Sequence, residues 1–275
     1  MSTVNREFTV GAGPSLNIRI QAGRVDVGEG PPGTITVEVH TRDPDSVEIS
    51  QTGDTIHVSD NRSGWVVRGT VRVTATVPAG TDLEVGSASA DVHTDAELGA
   101  FICRTASGDV AFRVTDSLEV KTASGSIRGD QVGGDVRVNS ASGDVWIQRI
   151  GGRLTAALAS GDVRTEEVGG DLRANSASGD LRIDRFRGDE VTLKSVSGDL
   201  VIGFPKGIRL EAEVNTLSGH VHLPTPASPE PPAPPTQRSG PDPMAPLDPI
   251  DSPKRRVRLN AKTVSGDIRI SSFSD

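Results

Sequence analysis

Aspartate, arginine, tryptophan and histidine recur in this chain at spacings that could do chemistry. Asp144, Asp162, Asp180 and Asp199 each follow a Ser-Gly pair, one repeat apart. A column of turn carboxylates can bind Ca²⁺, as nonapeptide β-rolls do with Gly-Gly-x-Gly-x-Asp. Here each such corner has one glycine, and Ser126 and His220 stand where the column would need a carboxylate. Arg153 interrupts the other corner in the same way. Aspartate at a turn also hydrogen-bonds nearby backbone, and that is the role expected of these residues. Arg128, Trp146, Arg164 and Arg182 form a second series with the same period. Aligned on one face, they would make a contact stripe for an acidic partner or a lipid headgroup. The plainer expectation is a solvated face balanced by Asp144, Asp162, Asp180 and Glu166. Trp146 is the one member with a large apolar surface to expose.

Other chemistry has less support. His220 and His222 share one side of a strand. They would need a third ligand, from Asp199 or Asp267 on adjacent coils, to hold a metal. A surface pair without that role is expected. Serine recurs in every repeat, so none is marked as a nucleophile, and no phosphate-cradling loop of the Walker type is present. The single cysteine, Cys103, excludes an intramolecular disulfide and lies in Phe101-Ile102-Cys103-Arg104, where a half-buried strand thiol is expected. The sequence thus points to no catalytic residue, no cofactor and no metal.

The element that must position these residues is a repeat. Ser107-Gly108-Asp109-Val110, Ser142-Gly143-Asp144-Val145, Ser160-Gly161-Asp162-Val163, Ser178-Gly179-Asp180-Leu181, Ser197-Gly198-Asp199-Leu200 and Ser265-Gly266-Asp267-Ile268 are its clearest copies. Degenerate copies begin at Ser89, Ser124 and Ser218. Halfway between them lies a second corner, in Val132-Gly133-Gly134-Asp135, Ile150-Gly151-Gly152-Arg153 and Val168-Gly169-Gly170-Asp171. The unit is therefore about nine residues, used twice per coil of about 18, the signature of a solenoid. Between corners, apolar and polar residues alternate, as in Val136-Arg137-Val138 and Leu181-Arg182-Ile183. That is the period of a strand with one buried face. No sustained helical pattern exists, and a glycine in each half-repeat would interrupt a helix. The expected fold is an all-β parallel β-solenoid with a sheet on each side, and with ladders such as Val145, Val163, Leu181 and Leu200 filling the interior.

Composition agrees. Of 275 residues, 34% are hydrophobic and 3% aromatic, with no Tyr, which suits a thin aliphatic core. The net charge of −8 gives no reason to expect nucleic-acid binding. No stretch reaches the 18 apolar residues of a membrane span, and no apolar segment follows Met1-Ser2-Thr3-Val4. A cytoplasmic, at most membrane-peripheral, chain is the expectation. Residues 1–86 read as irregular β-rich first coils and a cap, with Gly23-Arg24-Val25-Asp26-Val27 as a drifted rung; a separate small sandwich is the alternative. Residues 87–223 read as the regular stack. Residues 224–253 hold 12 of the 18 prolines and read as a disordered or polyproline II loop inserted before a final coil, 254–275.

The Ser-Gly-Asp-Val and Gly-Gly-Asp-Leu half-repeats behind an irregular N-terminus resemble a family of bacterial β-strand repeat proteins regarded as candidate adhesins. The resemblance implies a parallel β-solenoid, an association of such domains with envelope-stress membrane proteins, and no catalytic residues. The function expected is a non-enzymatic interaction scaffold with a protein partner or an envelope component. A secreted adhesin and a carbohydrate-active β-helix enzyme are the alternatives.

Overall fold

The computed structural model describes residues 2–61, 70–223 and 255–274. The proline-rich stretch expected to form a loop lies outside the described residues. The fold is an all-β parallel solenoid, with a single short 3₁₀ turn, Pro44–Ser46, among the described residues. Alternation dictates it locally. In Val145–Ile150, for example, Val145 and Ile147 are buried and Trp146 is exposed.

In the regular stack each strand pairs in parallel with the strands of the coils on either side. Val145–Ile150 lies between Ile127–Val132 and Val163–Val168. Leu181–Phe186 and Leu200–Pro205 continue that face. Val136–Ser142, Leu154–Ser160, Leu172–Ser178 and Glu190–Ser197 stack in the same way on the other. The connection a parallel pair needs is supplied by the other half of the coil. Val145, Val163, Leu181 and Leu200 pair in register and are at most 2% exposed. Each such side chain contributes roughly 1.5–3 kcal/mol. Where the interior must take a ring, a neighbour shrinks: Phe112 occupies the space beside Gly129, where a Cβ would fall 2.0 Å from the ring.

The corners need glycine for two reasons. Gly143, Gly161, Gly179 and Gly198 have φ between +121° and +140°. A Cβ on any of them would also lie 2.1–2.3 Å from the carbonyl oxygen of the glycine one coil earlier. Cys103 is fully buried, and not half-buried as expected, because its ladder partner is the interior Val120.

At both ends the order of coils in space departs from their order in the chain. Ser15–Glu29 lies between the coil formed by 55–59 and 71–77 and the coil formed by 82–94. The Gly23 segment is thus a true rung, paired with both Val71 and Ala90. Beyond it, antiparallel strands close that end: Val47–Thr52 on one face, Thr34–Thr41 and then Ser2–Thr9 on the other. At the opposite end Arg256–Ser265 slides between Glu190–Ser197 and Arg209–Ser218. Ile268–Phe273 likewise separates Leu200–Pro205 from Val221–His222. The last coil in the chain is therefore the last but one in the stack. The two coils differ in the strand they offer, Arg256–Ser265 with Ile268–Phe273 against Arg209–Ser218 with only Val221–His222. Val257, Leu259, Ala261, Ile268 and Ile270 suit a rung covered on both sides and are at most 5% exposed. The coil at 209–222 is left with an open flank, where Leu217 and Val221 are exposed.

Candidate functional site

Register decides which side chains meet on the outer face. Trp146 stands between Arg128 and Arg164, and Arg164 is followed by Arg182. The four expected residues therefore form one continuous column. At roughly 4.8 Å per rung they span about 14 Å. The column goes on through Val201 to Arg269 and His222. Arg269 was missed from sequence, although it follows Asp267 at the offset by which Arg182 follows Asp180. The offset could have found it, but its place beside Val201 depends on the coil exchange.

The arginines differ in their partners. Arg182 Nε is 2.8 Å from Asp184 Oδ1, and Arg164 Nη2 is 3.5 Å from Asp162 Oδ2. Both guanidiniums are more than half exposed, so each pair contributes at most about 1 kcal/mol and can exchange partners. Arg128 makes no ion pair among the described residues. Trp146 is 38% exposed. Neither flanking guanidinium lies over its ring; among the described residues that contact is made by Arg187 over Phe273. Beside Trp146 is a shallow recess of about 420 Å³, lined by Ser126, Arg128, Asp144, Trp146, Asp162 and Arg164. Its walls offer an apolar surface, guanidinium donors and carboxylate acceptors. It can dock a complementary surface, and it holds no nucleophile paired with a base.

The turn aspartates brace the stack. The backbone N–H of Asp162 donates to Asp144 Oδ1 at 3.0 Å, that of Asp180 to Asp162 at 2.9 Å, and that of Asp199 to Asp180 at 2.8 Å. The series continues from Asp267 to Asp199 and from His220 to Asp267. Backbone bonding was expected at the aspartate's own turn; the backbone that is bonded belongs to the next coil. One oxygen of each carboxylate is thereby engaged. The N–H of His220 holds the Asp267 carboxyl below the usual carboxylate range.

The rings of His220 and His222 stack with centroids 6.3 Å apart. Asp199, expected on an adjacent coil, is separated from them by the coil that carries Asp267. Among the described residues no three His, Cys, Asp or Glu side chains are grouped to hold a metal ion. Burial pushes the Cys103 thiol up to about 12, against the pull of Arg104. Among the described residues no helix is long and apolar enough to cross a membrane.

Known proteins add context for the fold. No curated protein matches the chain. A candidate adhesin from Bacteroides fragilis is similar in structure, 11% identical, over 97% of this chain and 97% of that one, with a TM-score of 0.43. A candidate lipid-binding protein from Parabacteroides distasonis is 10% identical over 98% of this chain and 96% of that one, with a TM-score of 0.44. A candidate cell adhesion protein from Clostridium sporogenes is 10% identical over 99% and 100%, with a TM-score of 0.28. With scores this low, none of these likenesses transfers a ligand or an activity. The alternating Ser-Gly-Asp and Gly-Gly corners, stacked coil upon coil, match a family model across residues 12–233, and the chain belongs to the Toastrack DUF4097 family.

Proposed function

We propose that the chain is a non-enzymatic interaction scaffold whose Trp146 column docks an acidic surface of a partner protein. The observation that carries this reading is Trp146, 38% exposed at the centre of an arginine column on a rigid parallel face. Tryptophan and arginine are the residues that most often dominate protein interfaces. The stack holds them without the ordering cost that a loop would add on binding. The recess is shallow and lined by both charge signs, which suits a complementary surface more than an enclosed small substrate. Residues 87–223 are the working surface in this proposal, and 1–86 serve as the end cap. An envelope-linked, cytoplasmic or membrane-peripheral setting belongs to the same proposal.

The test is a double variant, Trp146→Ala with Arg164→Glu, compared with wild type in crosslinking from native cells. The expected outcome is an unchanged circular dichroism spectrum and melting temperature, with loss of the crosslinked partner. Retention of that partner by the folded variant would remove the column as the contact surface. Protease treatment of intact cells separates the settings. Protection supports the intracellular scaffold, and cleavage replaces it with a surface adhesin.

A further inference from the structure

The opposite sheet carries a second recess that the Trp146 column does not touch. Arg137 and Arg173 occupy the same outward position two rungs apart, with Thr155 between them. Two rungs are roughly 10 Å, within reach of two guanidiniums leaning toward each other. Thr155 is short, so the long side chains above and below it wall a hollow of about 400 Å³. Arg153 enters from the Gly-Gly corner of the same coil as Thr155, and Asp171, Leu172, Glu190 and Thr192 complete the lining. Three successive coils therefore aim three guanidiniums and a hydroxyl at one place.

The charges there are only loosely paired, with Glu119 in register beside Arg137. Among the described residues Arg137 and Arg173 make no ion pair. Arg153 Nη2 is 3.8 Å from Asp171 Oδ2, too far for a hydrogen bond. Asp171 Oδ1 accepts the backbone N–H of Glu190 at 3.2 Å. Within the hollow three guanidiniums face the carboxylates of Asp171 and Glu190, and Glu119 and Asp135 border it beside Arg137 and Arg153.

We infer that this hollow is a binding site for a singly charged oxyanion ester, of the phosphodiester or sulfate ester type. Planar guanidiniums present paired N–H donors that match the oxygens of such a group. The hydroxyl of Thr155 supplies a further donor at the floor. A monoanion is favoured over a dianion, because a second negative charge would face Asp171 and Glu190 unpaired. The ester can come from a lipid headgroup or from a soluble polymer or metabolite, and the chemistry of recognition is the same.

The test uses the full chain and dimethyl phosphate as probe, read by titration calorimetry at fixed ionic strength. Wild type saturates, and Arg137→Gln with Arg173→Gln weakens binding by at least about tenfold. Arg173→Lys, which keeps the charge but loses the paired donors, weakens it several-fold. Arg128→Gln, on the other face, leaves it unchanged, so this result is independent of the proposed partner surface. Flotation with phosphatidylglycerol vesicles, lost in the double variant, assigns the ester to lipid. Titration without flotation assigns it to a soluble ester. No saturation below about 10 mM, or equal binding by wild type and the double variant, would overturn the inference.

Discussion

Replacing one corner glycine tests whether the stacking of carbonyls, and not backbone conformation alone, dictates glycine at the corners. Gly179 and Gly207 both have positive φ, +132° and +84°. Alanine at Gly207, nearer the left-handed well, incurs a conformational cost of about 1–2 kcal/mol, and at Gly179, outside it, about 1–3 kcal/mol. At Gly207 a Cβ meets nothing within 4 Å. At Gly179 it falls 2.2 Å from the Gly161 oxygen and 2.7 Å from the Gly161 carbon. A carbon–oxygen contact relaxes near 3.3 Å, so the rungs must part by about 1 Å locally. Overpacking of that kind adds about 1–3 kcal/mol. Gly207→Ala should therefore lose about 1–2 kcal/mol, and Gly179→Ala about 2–6 kcal/mol. Urea unfolding followed by far-ultraviolet circular dichroism reads both, through the shift in midpoint at constant slope. Equal losses at the two positions would refute the reasoning, because only Gly179 has a neighbouring carbonyl in the way.

Two further predictions follow from the titratable groups. The Cys103 thiol, pushed up to about 12 by burial, should not react with a thiol-specific disulfide reagent at pH 8 until the chain unfolds; prompt reaction of the native protein would place it outside the core. The Asp267 carboxyl is held below its ordinary range by the N–H of His220, so its stabilisation of the end coil is present above the unfolded value, near 3.9, and is lost as pH falls through the lower folded value. Hydrogen-exchange protection of the 209–222 coil, corrected for intrinsic rates, should drop in that acid window. Asp267→Asn should remove this pH dependence, and a wild-type profile that stays flat through the window would contradict the bracing role.

Much of the fold was legible because its causes are local. A corner that needs glycine and a strand with one buried face each leave a mark within nine residues, and stacking repeats that mark along the chain. The constant period also placed Arg128, Trp146, Arg164 and Arg182 in one column, since equivalent positions in a solenoid are neighbours. The depth of Cys103 was less legible. Its segment alternates no more clearly than a half-exposed strand, and only its pairing with Val120 shows that it faces inward. The hollow around Arg137 and Arg173 was also missed. Its third guanidinium, on Arg153, had been read only as an interruption of a corner column, and only the fold brings it to Thr155.

The sequence by itself determined the coil, its two corners, its buried ladders and the outward column. Only the tertiary structure decided the order in which coils stack. Ser265-Gly266-Asp267-Ile268 is an ordinary repeat that would dock on any rung, since every rung offers the same backbone donors and acceptors and the same aliphatic ladder. Strand length breaks that tie. The coil of 256–273 offers two full strands, Arg256–Ser265 and Ile268–Phe273, and can be paired on both sides, while the coil of 209–222 has only Val221–His222 on its second face and ends the stack. That difference is a property of the whole stack, and no single repeat records it.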